Sequence, residues 1–154
     1  MHFEREIMDS FRQIVQGLRV SSREAEQELG ISGAQLFVLR TLAEEGTMSV
    51  NDLAERTRTH QSSVSEVLAR LDQRGLVKRA KSKEDGRRVE VTITREGQAK
   101  LKPRKKLAQE RLVAAIQELE VRDKAALATL LKEVVVNAGF ESEAPKFFFE
   151  GKDA

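Results

Sequence analysis

Apolar residues recur at helical spacing through the first twenty positions. Phe3, Ile7, Phe11, Ile14 (with Val15) and Leu18 make one stripe, while Glu4, Arg5, Asp9, Arg12 and Gln16 lie off it. The pattern predicts a helix over Phe3–Val20. A break around Gly30 leads into a second helix with strong boundary signals. Ser32 suits its N-cap, Gln35 the return partner of a capping box, and Ile31 with Leu36 a hydrophobic staple. Leu36, Leu39, Leu42 and Ala43 supply the buried face, and Gly46 stands where a left-handed C-cap residue is wanted.

The next fifty residues change period twice. Met48–Val50 reads as a short extended piece, able to add a third strand to a later hairpin. Ser49 then caps a helix over Val50–Thr57, with Asp52 at N3 and Leu53 and Ala54 facing inward. The small Ala54 allows two helices to approach closely. A turn at Arg58–His60 precedes a helix over Gln61–Arg74, in which Val64, Val67, Leu68 and Leu71 share one face at i, i+3, i+4, i+7. Gln61, Ser62, Ser65, Glu66 and Ala69 are left on the outward face.

After Gly75 come two alternating strands, Leu76–Ala80 and Val89–Thr94, joined by the charged loop Lys81–Arg88 with Gly86 as its turn residue. Val89, Val91 and Ile93 fall on one side of the return strand. Thr94 caps a long helix from Arg95 to about Leu119, bent by Pro103, with Leu101, Ala108, Leu112, Ala115 (or Ile116) and Leu119 as its seam. A last helix over Arg122–Ala138 carries Leu127, Leu130, Leu131, Val134 and Val135. Exposure of Phe147–Phe149 in the tail would be a liability, so these rings are expected against a partner subunit or over a pocket, with disorder of the tail as the alternative.

Helix, turn, helix and basic hairpin is the layout of a winged helix-turn-helix. The expected class is mainly α with a small β-hairpin wing (α+β). A winged core over 31–97 is flanked by helical dimerisation segments, 1–30 and 98–154. The terminal helices offer more apolar stripe than so small a core can cover, and a symmetric homodimer joined through both chain ends is the economical solution.

Charge sharpens the picture. The net charge is only +2, yet the cations crowd into residues 70–106 while the first thirty residues lean acidic. One electropositive face on a nearly neutral protein points to a phosphate-bearing partner. Gln can pair bidentately with adenine and Ser can bond bases or phosphates, and the free N–H groups of a helix start favour a phosphate. A guanidinium on a narrow β-tip fits the minor groove, and Asp85 is placed to direct Arg87.

Other chemistry finds little support. The chain has no cysteine, which excludes disulfides, thiol catalysis, thiol redox sensing and Cys-ligated zinc. His2 and His60, its two histidines, are a weak metal set, and no Gly-rich phosphate loop, Ser–His–acid set or HExxH pattern occurs. Neither catalytic residues nor metal ligands nor a cofactor are expected. Met1–Ser10 is charged throughout, unlike a signal peptide, and no apolar run reaches the ~20 residues of a membrane span; a cytoplasmic protein is expected. The alternative function is a winged-helix module that binds only protein, which would need neither the polar outward face nor the arginines of the loop.

The chain resembles the MarR (multiple-antibiotic-resistance regulator) family of bacterial transcription factors. The resemblance is carried by Ile31-Ser32…Gln35…Leu39…Leu42, Val50…Leu53-Ala54, Ser62-Ser63-Val64-Ser65…Leu71…Arg74-Gly75-Leu76-Val77, and Asp85-Gly86-Arg87-Arg88…Val91…Ile93-Thr94-Arg95-Glu96-Gly97. It implies an obligate dimer on pseudo-palindromic double-stranded operators, usually acting as a repressor. The helix about 61–74 would read the major groove and the loop 81–88 would turn toward the minor groove. Candidate DNA-binding residues are His60, Gln61, Ser62, Ser63, Ser65 and Glu66 on the helix, with Lys83, Asp85, Arg87 and Arg88 on the wing. Arginine is common in the family where this chain has Gln61 and Glu66. Many members release DNA when a small phenolic, aromatic or amphipathic effector binds; others use an oxidised cysteine, which this chain lacks.

Overall fold

The computed structural model describes residues 2–101 and 106–150. Its first helix, α1, spans Phe3–Leu29 and ends at Gly30 in the left-handed region (φ 68°). It therefore runs nine residues beyond the expected end at Val20. The extension is held by Leu18, Ser22, Ala25 and Leu29, which are buried at spacings of four, three and four. Small side chains carry half of that seam, so the apolar pattern fades while the packing continues. Ser22 lies against the start of α2 (Gly33–Glu45), whose Gly33 N–H donates to Ser22 Oγ at 3.4 Å.

Ser32 caps α2 as expected, its Oγ accepting from Gln35 N–H. The return half of the box is absent, because the Gln35 amide is drawn to Glu150 near the chain end. Gly46 does take a positive φ of 86°, but with ψ −163°. That is the extended glycine region rather than the left-handed cap, and it turns the chain straight into strand β1 (Met48–Ser49). Ser49 caps α3 (Val50–Arg56) through Asp52 N–H at 3.1 Å. Helix α4 covers Gln61–Gln73, then β2 (Val77–Lys81) and β3 (Val89–Ile93) form the hairpin.

The three strands make one antiparallel sheet in the order β1-β3-β2, with Met48 opposite Val91 and Arg79 opposite Val91 on the other side. The expected third strand is thus present. Leu39, Leu53, Val64, Leu68, Leu71 and Val91 are fully buried at the centre of the core. An Arg79–Asp72 pair at 3.1 Å binds the hairpin to the end of α4.

The expected long helix from Arg95 is two helices. Thr94 Oγ1 caps α5 (Arg95–Ala99) by accepting from Gly97 N–H, and α6 spans Ala108–Gln117. Lys100 ends α5 with its ammonium on Leu29 O at 2.9 Å. Leu107 is buried, its N–H donating to Glu110 Oε2, and Ala108 N–H donates to Ser21 Oγ at 3.1 Å. Those anchors fix α6 separately against α1. Pro103, expected to bend a continuous helix, lies outside the described residues. The final helix, α7, spans Val121–Ala138 and has no buried residue.

Glu110 also meets Arg40 of α2 at 3.0 Å. Burial pushes its carboxyl above the ordinary value, more than Arg40 and the Leu107 N–H pull it down, and Glu44 adds to the rise. A raised folded-state pKa means the folded chain holds this proton more tightly than the unfolded chain, so acidification favours folding at this site. The stability of wild type relative to Glu110→Gln should therefore rise as pH falls through the raised value and level off below about 4.5, the unfolded value. Urea melts of both proteins from pH 7 to pH 4 check this; a difference that falls on acidification would show the opposite sign.

Candidate nucleic-acid interface

Helix α4 begins after Arg58, whose positive φ of 55° makes the sharp turn between α3 and α4. Thr57 Oγ1, buried, donates to Leu53 O at 2.7 Å and closes the end of α3. His60 is the extended N-cap of α4, and its side chain makes no cap bond. The α4 N–H groups at that end are therefore not satisfied by a side-chain cap. His60, Gln61 and Ser62 are exposed, Ser65 is half-buried, and Glu66 is exposed. The inward face is Val64, Val67, Leu68 and Leu71, as the spacing predicts.

Ser63 sits differently from its neighbours. It is buried, and its hydroxyl donates to Pro145 O at 3.0 Å. Glu66 faces Lys146 Nζ at 3.5 Å, and Arg70 pairs with the buried carboxylate of Glu150. Residues 145–150 thus lie along one flank of α4. Phe147 anchors them, 7% exposed and edge-on to Phe37 of α2 with ring centroids 6.4 Å apart. Phe149 lies under the Arg19 guanidinium at 5.2 Å, while Phe148 is exposed. Phe147 is thus covered, but by α2 of its own chain.

The wing is ordered by its own short bonds. Ser82, buried at the base, accepts from Glu84 and Asp85 N–H, and Ser82 N–H donates to Arg88 O at 2.8 Å. Asp85 Oδ1 accepts from the Arg87 backbone N–H at 3.0 Å. The aspartate therefore shapes the loop rather than gripping the arginine's guanidinium, and Arg87 projects as the loop dictates. Arg88 reaches Asp52 of α3 at 3.2 Å, which ties the wing to the helix that supports α4. Lys83 and Arg87 are exposed, and neither side chain has an ion-pair partner among the described residues. Basic side chains without internal partners, beside a polar helix face, are suited to contact a polyanion.

A MarR family model matches residues 29–88, the span from the end of α1 to the wing arginines. Over that span the chain is similar to the MarR family. It is 32% identical over 95 residues to the HTH-type transcriptional repressor MdtR of Bacillus subtilis, covering 62% of this chain and 61% of that one. The matched stretch therefore spans less than two thirds of that relative's length. Among solved structures, a mutant MarR from E. coli complexed with operator DNA superposes with a TM-score of 0.56 at 25% identity, covering 84% of this chain and 96% of that chain. BpsR of Bordetella bronchiseptica, described for regulation of its DNA binding by 6-hydroxynicotinic acid, gives a TM-score of 0.57 at 26% identity over 87% of this chain and 96% of that chain.

Within this winged-helix fold, Gln61, Ser62, Ser65 and Glu66 fall on the exposed side of α4 and Lys83, Asp85, Arg87 and Arg88 on the wing. Ser63 is the candidate that the fold turns away from solvent. Sequence reasoning missed Arg70, Lys146 and Glu150. The one available signal was the FFFE cluster, which marked a tail too apolar to stay in water. Two clefts border α6. One of about 380 Å³ includes Phe37, Arg40, Glu110 and Val113; another of about 390 Å³ runs between α1 and α6. Among the described residues no helix is long and apolar enough to cross a membrane, and no cluster of metal-ligating side chains occurs.

Proposed function

We propose that this chain is a DNA-binding transcriptional regulator, most simply a repressor, that works as a homodimer on pseudo-palindromic duplex operators. Helix α4 enters the major groove, presenting Gln61, Ser62 and Ser65, and the wing carries Arg87 toward the minor groove. The observation that carries this reading is the pairing of an exposed polar start of α4 with exposed Lys83 and Arg87, without ion-pair partners among the described residues, on an ordered wing. The operator-bound relative of the same fold supports it. Dimerisation through segments 1–30 and 98–154 is supported by the unburied α7 and by exposed Phe3, Ile7, Ile14 and Ile116 on α1 and α6. Two copies of α4 would then meet successive major grooves about 34–36 Å apart.

Release by a small aromatic or amphipathic effector is part of the proposal, the clefts beside α6 being the available space. A location in the cytoplasm, where the chromosome is reached, follows from the same reading.

The test is binding to duplex DNA at graded salt. Phosphate contacts make affinity fall steeply with ionic strength, and no binding at low salt would end this reading. Arg87→Ala should weaken binding roughly tenfold and lower the salt slope by about one, with dimer mass and helix content unchanged. Wild-type affinity in that variant would take the wing out of the mechanism.

A further inference from the structure

The tail is bound where the proposed DNA-reading helix has to be free. Ser63, Glu66 and Arg70 follow one another at i, i+3 and i+7 and so form a single flank of α4. Each has a partner in the tail: Pro145 O, Lys146 Nζ and the Glu150 carboxylate. Seven residues of helix correspond to about 10 Å, so the tail follows α4 along more than half of its length. It adjoins the outward face and shares Glu66 with it.

We propose that residues 145–150 form an autoinhibitory strap that competes with duplex DNA for helix α4. The inference rests on the reading of α4 as a major-groove helix. A helix with its side chains is about 10–12 Å across, and the major groove of B-DNA is about 12 Å wide. The groove admits the helix alone; a second chain along its flank leaves no room. Charge acts in the same direction. Glu150 neutralises Arg70, a cation of the reading helix. Release of the strap frees Arg70 for phosphate and Ser63 for a hydrogen bond to DNA, so two of the three lost contacts on α4 have a replacement on the duplex.

The hold is real but limited. Phe147 on Phe37 is its apolar anchor, and Glu150 is buried between Arg70 and the Gln35 amide. Gln35 Oε1, buried in the same seat, has no hydrogen-bond partner among the described residues, which weakens the closed arrangement. The Lys146–Glu66 pair is solvent-exposed and contributes little. A seat held by one ring and one carboxylate can open against a polyanion.

A strap seated nine-tenths of the time weakens apparent affinity roughly tenfold. In the full-length chain, Phe147→Ser should therefore bind a duplex, selected from random DNA by the wild-type protein, roughly tenfold more tightly. Unchanged or weaker binding by a folded Phe147→Ser protein overturns the strap. A second variant does not depend on loss of the anchor. The chain has no cysteine of its own, so Ser63→Cys with Pro145→Cys leaves a single cysteine pair, placed where the Ser63 hydroxyl meets the Pro145 carbonyl, to bridge α4 and the strap. Oxidation to the bridge should lower affinity for the same duplex by more than tenfold, and reductant should restore it. Equal affinity of bridged and reduced protein overturns the proposal. If the wild type selects no duplex, the regulator reading fails and the strap with it; selection by the wild type without any effect of bridging removes the strap alone.

Discussion

Leu130→Asp combined with Val134→Asp should convert the protein to a monomer and cost it operator binding by two orders of magnitude or more. These residues are one turn apart on α7, 60% and 49% exposed in the single chain. No residue of α7 is buried, although Leu127, Leu131 and Val135 add to the same apolar surface. A contiguous patch of that kind on an 18-residue helix marks an interface, and the proposed second copy of this chain covers it. Two carboxylates placed in that contact would be desolvated without partners, which outweighs the apolar contacts left around them. The loss in DNA binding follows from linkage. Holding two reading helices together raises overall affinity by roughly 10²–10⁴ over a single one, and a monomer forfeits that factor. Light scattering reads the mass and a titration of duplex reads the affinity. Since α7 contributes nothing to the buried core of the winged unit, the sheet and α2–α4 should keep their structure. A dimer mass, or undiminished affinity in a monomer, would contradict the proposed assembly.

What the sequence disclosed was mostly local. Ser32, Ser49 and Thr94 were legible as caps because a capping hydroxyl bonds an N–H three residues away. The inward face of α4 and the alternation of β3 follow from periods of 3.6 and 2. The reach of α1 beyond Val20 was hidden because Ser22 and Ala25 pack without being strongly apolar. The division between α5 and α6 was hidden because its causes are tertiary: Lys100 on Leu29 O and Ala108 on Ser21 Oγ, 71 and 87 residues apart. The site divided in the same way. An outward polar face and a basic tip can be read from spacing and charge. The flank occupied by the tail cannot, since Ser63 and Pro145 are 82 residues apart and Gln35 and Glu150 are 115 apart. Each reads as an ordinary surface residue until the fold brings it to its partner.

Gly97→Ala should destabilise the winged unit even though helix propensity argues the other way. Gly97 lies inside α5, where alanine is intrinsically better than glycine by about 1 kcal/mol. A Cβ at this position, however, would meet the Leu76 carbonyl oxygen at 2.2 Å and Ile93 Cγ1 at 2.7 Å. The first neighbour is backbone and cannot rotate away. Leu76 O already accepts from Thr94 N–H at 3.1 Å, and Thr94 Oγ1 both caps α5 and donates to Gly75 O at 2.6 Å. Moving Leu76 therefore disturbs the entry to β2, the cap and the exit of β3 together. Overpacking of this kind costs about 1–3 kcal/mol, occasionally more, and here it exceeds the gain in propensity. Against a total stability of about 5–15 kcal/mol, that loss should appear as a clear drop in the urea midpoint. Gly17→Ala is the internal comparison, because a Cβ there has nothing within 4 Å and Gly17 is also helical. It should gain part of the ~1 kcal/mol that Gly97→Ala forfeits. If both substitutions raised the midpoint, the approach of Leu76 to Gly97 would not be the constraint that holds β2 and β3 against α5.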